Sequence, residues 1–297
     1  MRALVAGWFS FEGMGASAGD LLCRDVVAQW LRDAGVEVWL ASAPPFTDGR
    51  RWEAVPREAV DAVVFVCGPI GNGWPVPEFL AHFAGKRLIG VNLTVLQPLS
   101  EWNPFDVLFE RDSDRDSRPD LVFLTSPQRV PVAGLILVHP QREYGARGWH
   151  AQANEALRAV LRGREIAVVE IDTRLDSNAA GLHTAAQVES LIARMDAVFT
   201  TRLHGLALSL KNGVPALALD PIAGGAKLLR QARTIGWPYA FAADACAPAD
   251  LEAAAEAVLS PAARELARET AERARVDLQF LKRSLPAAVR APGGERG

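Results

Sequence analysis

Short apolar runs rich in β-branched residues recur along the chain and alternate with stretches of helical periodicity. Strands covered on both faces are apolar throughout, so these runs predict buried parallel strands. They are residues 3–6, 36–40, 62–66, 88–91, 135–138, 166–169, 197–200 and 216–219. Helical patterns lie between several of them, at residues 20–33, 149–161, 184–194 and 205–211. Strands that alternate with helices in this way predict an α/β fold.

One interruption of this alternation, between Glu110 and Gly134, predicts a domain boundary. Residues 111–118 are nearly all charged or hydroxylated, and prolines follow them. We interpret the charged run as a solvated loop and place two domains at residues 1–130 and 131–297. From Pro261 the composition predicts one long helix to about Ser284, followed by a disordered tail.

Two successive α/β domains of similar size predict two Rossmann-like domains that face a cleft. Ligands bind in such folds where the carboxyl ends of strands meet the amino ends of helices. The length of 297 residues suits two domains of ordinary size.

Composition and charge argue against several classes of protein. The 32 Lys and Arg against 35 Asp and Glu give a net charge of -3, which argues against a nucleic-acid partner. No apolar stretch approaches the roughly 20 residues of a membrane helix, so no integral membrane segment is expected. Three separated cysteines and the absence of metal-ligand spacing predict free thiols, a cytoplasmic location and no metal site.

The turn after residues 197–200 carries the densest candidate chemistry. Arg202, Leu203, His204 and Gly205 stand at the amino end of a predicted helix, where unpaired N–H groups favour an anion. Arg202 could hold a phosphate or carboxylate in two-pronged fashion. His204 could transfer a proton, and Gly205 would let a ligand approach the backbone. Alternatively, Arg202 pairs with a nearby carboxylate and His204 caps the helix.

Two further turns follow predicted strands. Gly19 and Asp20 end a glycine-rich loop before the first helix, where Asp20 either caps that helix or lies with Gly19 beside a sugar hydroxyl. Arg142 follows residues 135–138 and could be a second anion clamp, or could pair on the surface with Glu143. No G-x-S-x-G elbow or Walker motif occurs, which disfavours α/β-hydrolases and P-loop proteins.

The stretch from Thr201 to Asp220 resembles the signature of the polysaccharide pyruvyltransferase family. In that family a strand ends in Arg-Leu-His-Gly or Arg-Tyr-His-Gly, and a helix leads through Gly-x-Pro, here Gly213 and Pro215, into the next strand. Three more pieces resemble the family in the expected order: Gly19-Asp20, Pro119-Asp120 and Lys227.

This resemblance implies a fold like that of GT-B glycosyltransferases, with phosphoenolpyruvate as donor and no cofactor. The product would be a pyruvyl ketal on hydroxyls of a saccharide acceptor, held by the amino-terminal domain. Arg202, Leu203, Gly205, Arg142, Lys227 and Gly19 would bind substrate, His204 would be the general acid, and Asp20 would be the base.

Two other functions remain open at this point. A GT-B glycosyltransferase would share the fold but use a nucleotide sugar. A non-catalytic binding protein is the second, because Ala16-Ser17-Ala18 stand where family members usually carry an Asn. The sequence leaves the acceptor and the oligomeric state undetermined.

Overall fold

A computed structural model describes residues 1–178 and 180–290. The chain divides into two compact units, Met1–Gln128 and Arg129–Gly297. Each unit contains a parallel sheet with helices, so the predicted α/β class is confirmed for both. Among the described residues, no helix combines the length and apolar character needed to cross a membrane.

The first unit is built on a six-stranded parallel sheet ordered β2-β1-β3-β5-β4, in which β6 also pairs with β5. Its strands are β1 (Arg2–Ala6), β2 (Glu37–Leu40), β3 (Ala62–Val66), β4 (Pro69–Ile70), β5 (Arg87–Val95) and β6 (Val107–Asp112). Its α-helices are α1 (Ala18–Asp33) and α2 (Val76–His82).

The second unit is built on a five-stranded parallel sheet ordered β11-β10-β9-β7-β8. Its strands are β7 (Val132–Ile136), β8 (Ala167–Glu170), β9 (Ala197–Thr200), β10 (Ala216–Asp220) and β11 (Ala240–Ala242). Its helices are α3 (His150–Leu161), α4 (Ala185–Ile192), α5 (Leu203–Lys211), α6 (Lys227–Ile235), α7 (Pro248–Val258), α8 (Pro261–Asp277) and α9 (Gln279–Arg290).

Both faces of the second sheet are buried at its central strands β7, β9 and β10, which explains why these strands are mostly apolar. Leu135 belongs to a cluster with residues of α3 and α7, whereas the next residue, Ile136, packs on the other face with residues of α5 and α6. Successive strand side chains point to opposite faces. A doubly covered parallel sheet therefore needs consecutive apolar residues.

Several predicted elements are corrected by the structure. The strand placed at residues 135–138 is Val132–Ile136, so its carboxyl-end loop begins earlier than expected. The long helical stretch expected from Pro261 is present, but it consists of two helices that meet at Leu278, and it continues to Arg290 instead of ending near Ser284. The rest of the tail that was expected to be disordered, residues 291–297, lies outside the described residues.

The charged run is not simply a solvated loop, because its first residues belong to β6. Glu110 is fully buried and pairs with Arg115 at 2.8 Å and with Arg118 at 3.2 Å. The hydrogen bonds from Arg115 lower the pKa of Glu110 from 4.5 to about 2, against the opposing effect of burial. The run therefore folds back on the strand through ion pairs.

Candidate active site

Three side chains meet at the carboxyl ends of β7, β8 and β9, which are neighbours in the second sheet. Arg202 follows β9 and donates from Nη1 to Asp172 Oδ1 at 3.0 Å. The other carboxylate oxygen of Asp172, which follows β8, lies 2.9 Å from Nε2 of His139, which follows β7. Asp172 therefore bridges a guanidinium and an imidazole.

Burial and hydrogen bonding set the charges of this cluster. The side chains of Arg202 and Asp172 are 22% and 19% exposed. Burial lowers the pKa of Arg202 despite its pairing with Asp172, yet an arginine stays protonated in proteins. Burial raises the pKa of Asp172, but the Arg174 N–H and His139 outweigh it, so the net pKa is below the usual value. The pair is ionised near neutral pH.

A network of threonine and asparagine side chains holds the loop after β7. Thr201 Oγ1 accepts from the Val138 N–H at 2.8 Å and donates to Asn154 Oδ1 at 2.8 Å. Asn154 Nδ2 donates in turn to the Val138 carbonyl at 3.1 Å. Thr201 is buried, so its partners have little access to competing water. This network fixes the end of β7 against the start of α5.

Arg202, Leu203 and His204 line a pocket of about 90 Å³ at the amino end of α5. Arg202 is the N-cap residue, but its side chain does not cap the helix. His204 is exposed in the first turn, and Leu203 is partly buried. The alternative expected from the sequence had two parts, and one of them, the pairing of Arg202 with a carboxylate, is observed. Uncapped N–H groups at a helix start favour an anion.

A second pocket of about 520 Å³ lies beside the first, since Val138 lines both. His139 and Asp172 contribute to its wall, together with Asn154 and Arg158 of α3 and with residues of β7 and β8. Its volume is typical of small-molecule sites. The smaller pocket has room for one anionic group, and the larger one for a more extended molecule.

Gly205 is needed for close packing between α5 and the sheet, a role that the sequence alone did not indicate. It is buried, and a Cβ at this position would lie 2.1 Å from Thr200 Oγ1 and 3.1 Å from Ile136 Cγ2. The glycine thus allows α5 to lie close to the ends of β7 and β9. Its predicted contact with substrate stays a prediction.

Lys227 also lines the smaller pocket, as the first residue of α6. The start of α6 differs from that of α5 because a buried carboxylate already occupies it. Asp220, at the end of β10, accepts hydrogen bonds from the N–H groups of Ala226 at 2.7 Å and Leu229 at 2.9 Å. Lys227 therefore stands beside an anion that belongs to the protein. Its side chain is exposed.

Arg142 lies in a 3₁₀ segment, Arg142–Arg147, and is exposed. Its neighbour Gln141 lines the smaller pocket, whereas Arg142 is not among the lining residues. In the described part of the chain, no ion pair joins Arg142 to Glu143. A donor contact by Arg142 stays a prediction.

Gly19 and Asp20 belong to the first unit, in the first turn of α1. Asp20 is the third helical residue, and its Oδ2 accepts from both the N–H and the hydroxyl of Ser17 at 2.7 Å. Ser17, rather than Asp20, is the N-cap. One of the two roles expected for Asp20 was to cap this helix. Asp20 has that role, because its carboxylate forms a capping box with Ser17. Its role as a base stays a prediction.

Pro119-Asp120 has a structural role in the first unit. Asp120 caps a short 3₁₀ helix, Leu121–Leu124, through the Val122 N–H at 2.9 Å and pairs with Arg111 at 2.8 Å. Asn92, which has a positive φ of 58°, donates to the same carboxylate at 3.3 Å. This cluster anchors the chain where it leaves β6.

Asp172 and His139 are site residues that the sequence reasoning did not assign. A signal for both lies in the sequence, because His139 follows the apolar run 135–138 and Asp172 follows the apolar run 166–169, as Arg202 follows 197–200.

The fold and the site define an α/β protein that gathers basic side chains at the carboxyl edge of a parallel sheet. The family model for polysaccharide pyruvyl transferase matches residues 119–221 of this chain. The matched stretch contains β7 to β10 and α3 to α5, and thus His139, Asp172, Arg202 and His204. The resemblance found in the sequence is confirmed for this stretch. Gly19, Asp20 and Lys227 lie outside it.

Solved structures give weaker likenesses, and no curated protein sequence matches the chain. Spinosyn forosaminyltransferase SpnP is 14% identical, with 97% of this chain and 99% of that chain covered and a TM-score of 0.33. The UDP-GlcNAc 2-epimerase of Methanocaldococcus jannaschii is 10% identical, with 87% and 92% covered and a TM-score of 0.32. MurG of Acinetobacter baumannii is 13% identical, with 92% and 94% covered and a TM-score of 0.30.

Proposed function

We propose that this protein is a pyruvyltransferase that moves the pyruvyl group of phosphoenolpyruvate onto hydroxyls of a saccharide acceptor. The observation that carries the proposal is the coincidence of the family match with the Arg202–Asp172–His139 cluster at the start of α5. The cytoplasmic location expected from the sequence stays a prediction and forms no part of this argument.

The donor carries a phosphate and a carboxylate, and the second unit offers cationic groups for both. Asp172 engages only Nη1 of Arg202, so the remaining guanidinium N–H groups are available for an anion. The N–H groups at the start of α5 supply further donors. Lys227 adds a flexible ammonium at the same pocket.

The reaction needs a proton at the methylene carbon of the donor. As an acceptor hydroxyl oxygen bonds to the central carbon and gives up its proton to water, the carbon–carbon double bond opens and its terminal carbon takes a proton from protonated His204. Phosphate then leaves from the tetrahedral adduct with the electron pair of the carbon–oxygen bond. A second acceptor hydroxyl bonds to the same carbon and gives its proton to His204, which closes the ketal and restores the acid. His204 lines the pocket with Arg202 and is exposed, so it can exchange protons with water.

His139 is the rival for the role of proton donor. Its bond to Asp172 orients the ring, as a carboxylate does for a catalytic histidine. His204 has no such partner among the described residues. We retain His204 as the acid and assign His139 to the larger pocket, where it would contact the acceptor.

Calorimetric titration with phosphoenolpyruvate tests the donor, with UDP-glucose, UDP and inorganic phosphate run in parallel. We expect phosphoenolpyruvate to bind, and Arg202→Ala to weaken it by about 10- to 100-fold, since hydrogen bonds to charged groups contribute about 1.5–3 kcal/mol. Arg233→Ala, which removes an exposed arginine in the last turn of α6, is the matched control and should bind normally.

One result would overturn the donor assignment, and another would overturn the role of Arg202. Binding of the uridine nucleotides without phosphoenolpyruvate would indicate a glycosyltransferase. Equal donor affinity in Arg202→Ala and wild type would remove Arg202 from the site. Saturable donor binding without turnover on any saccharide would instead indicate a binding protein.

The proton donor is tested by comparing His204→Ala with His139→Ala in donor turnover. We expect His204→Ala to lose turnover while retaining donor affinity, and His139→Ala to raise the acceptor KM with a smaller effect on kcat. The opposite pattern would make His139 the acid. Circular dichroism of both variants controls for folding.

A further inference from the structure

Helix α9 differs from the other helices of the second unit because it contributes no buried residue among those described. The preceding helix, α8, packs on the core through Ala263, Ala267 and Ala271, and its exposed part begins near its carboxyl end. From Gln279 to Arg290 every residue is exposed. The helix therefore presents its entire circumference to its surroundings.

The side chains of α9 are nonetheless distributed as in an amphipathic helix. Leu281, Leu285 and Val289 follow one another at spacings of four, and Leu278 precedes them on the same face. These four large apolar side chains are about half to three-quarters exposed. Phe280 is also exposed but lies outside this stripe. Exposed apolar side chains aligned on one face indicate an interaction surface.

Charge distinguishes between the partners that such a stripe could meet. Lys282, Arg283 and Arg290 are basic, and the helix contains no acidic residue. The chain as a whole has a net charge of -3, so this excess of positive charge is local. Gln279, Arg283 and Arg290 lie on the side opposite the stripe, while Lys282 flanks it, where its long stem can reach a polar surface.

We propose that α9 binds the surface of an anionic phospholipid bilayer. The stripe of Leu281, Leu285 and Val289 would enter the boundary between headgroups and acyl chains, with the helix lying in the plane of the interface. The basic residues would contact anionic headgroups. This inference concerns where the protein is held and does not rest on the proposed function.

Co-sedimentation of the full chain with vesicles tests the proposal. Vesicles of phosphatidylcholine alone are compared with vesicles that also contain phosphatidylglycerol, at low and at raised salt. We expect binding to the anionic vesicles only, and weaker binding at raised salt because counterions screen the charges. Lys282→Gln/Arg283→Gln should bind about 30-fold more weakly, since each basic residue near the surface contributes about 1 kcal/mol.

Matched variants separate the helix from general surface effects. Leu285→Ser should bind about tenfold more weakly, whereas Leu124→Ser should bind like wild type, although the two leucines are 65% and 64% exposed. Arg32→Gln/Arg57→Gln removes two exposed arginines of the first unit and should also leave binding unchanged. Circular dichroism checks that each variant is folded.

Three outcomes would overturn the proposal. The first is wild-type protein that stays in the supernatant with both kinds of vesicle. The second is binding that Leu285→Ser and Lys282→Gln/Arg283→Gln leave intact. The third is a dimer, detected by light scattering, that Leu285→Ser dissociates while no vesicle binding occurs, which would make a second copy the partner of α9.

Discussion

Substitution of Gly205 by alanine tests how closely α5 must approach the sheet. The new Cβ would lie 2.1 Å from Thr200 Oγ1, 3.0 Å from Thr200 Cβ and 3.1 Å from Ile136 Cγ2. Thr200 cannot rotate away freely, because its hydroxyl donates to the Ile136 carbonyl at 2.9 Å and accepts from the Arg202 N–H at 2.9 Å. Relief of the clash therefore breaks these hydrogen bonds or displaces the start of α5.

The size of the effect follows from opposing contributions. Alanine in place of glycine favours a helix by about 1 kcal/mol. Overpacking a buried site costs about 1–3 kcal/mol, and loss of a hydrogen bond adds about 1 kcal/mol. We expect Gly205→Ala to lower the free energy of unfolding by about 1–3 kcal/mol in urea titrations. Donor affinity should fall as well, because Arg202 moves with the helix.

Gly19→Ala is a matched control in the first turn of α1. Its Cβ would meet Ser17 Oγ at 3.6 Å, an ordinary van der Waals contact, so this change should be neutral or stabilise by up to about 1 kcal/mol. In a Thr200→Ala background the closest clash at Gly205 is removed, and Gly205→Ala should cost less there than in wild type. Equal effects of the two glycine substitutions, or an unchanged cost without Thr200 Oγ1, would refute the packing argument.

Three further outcomes are expected. Asp172→Asn should weaken donor binding about two- to tenfold in calorimetry. Without the contact to Asp172, the Arg202 side chain must be ordered when the donor binds, which costs about 0.5–1.5 kcal/mol. Tighter binding would mean that Asp172 competes with the donor. Glu110 has a pKa of about 2 in the folded chain against 4.5 ordinarily, so its contribution is complete above pH 4.5 and is lost as the pH falls toward 2. Because the arginine partners of Glu110 are exposed and screened by water, we reduce the contribution to about 2 kcal/mol. The difference in free energy of unfolding between wild type and Glu110→Gln, measured in urea, should therefore become smaller on acidification. A difference that does not change with pH would contradict the ion-pair account. Cys23 and Cys67 are buried, and burial raises the pKa of each thiol, while Cys246 is partly exposed. A thiol reagent should therefore react with one cysteine in the native protein and with three after unfolding. Rapid reaction of two or more cysteines in the native protein would contradict this burial.

The strands of both units could be predicted from the sequence where both faces of the sheet are covered. Residues 62–66 and 197–200 coincide with β3 and β9, and every residue of both strands is buried. The run at 135–138 misled because Leu137 and Val138 are apolar but lie beyond β7, where Val138 is held by Thr201 and Asn154. Apolar character favours burial of a residue, and it does not show whether the residue belongs to a strand.

Strands that are short or that contain charged residues could not be predicted from apolar runs. Strand β6 ends in Glu110, Arg111 and Asp112, whose charges are compensated by partners from the following loop and from Asp120. Strand β11 has only three residues, all partly buried. In both cases the stabilising contacts come from elsewhere in the fold, so the local pattern does not contain the signal.

The candidate site shows the same division between local and non-local information. The sequence places Arg202 and His204 at a strand end because that inference needs only one strand and one helix. The pairing of Arg202 with Asp172 joins residues 30 positions apart and depends on the order β9-β7-β8. With β7 between them, the loops after β8 and β9 reach each other across the end of β7, and His139 from that strand contacts the same carboxylate. Hydrophobic patterning does not determine this order, since any order of these strands would bury the same apolar runs. The identity of the groups that surround an anion in this site thus follows from the topology of the sheet, and Asp172→Asn tests the contact with Arg202 that this topology creates.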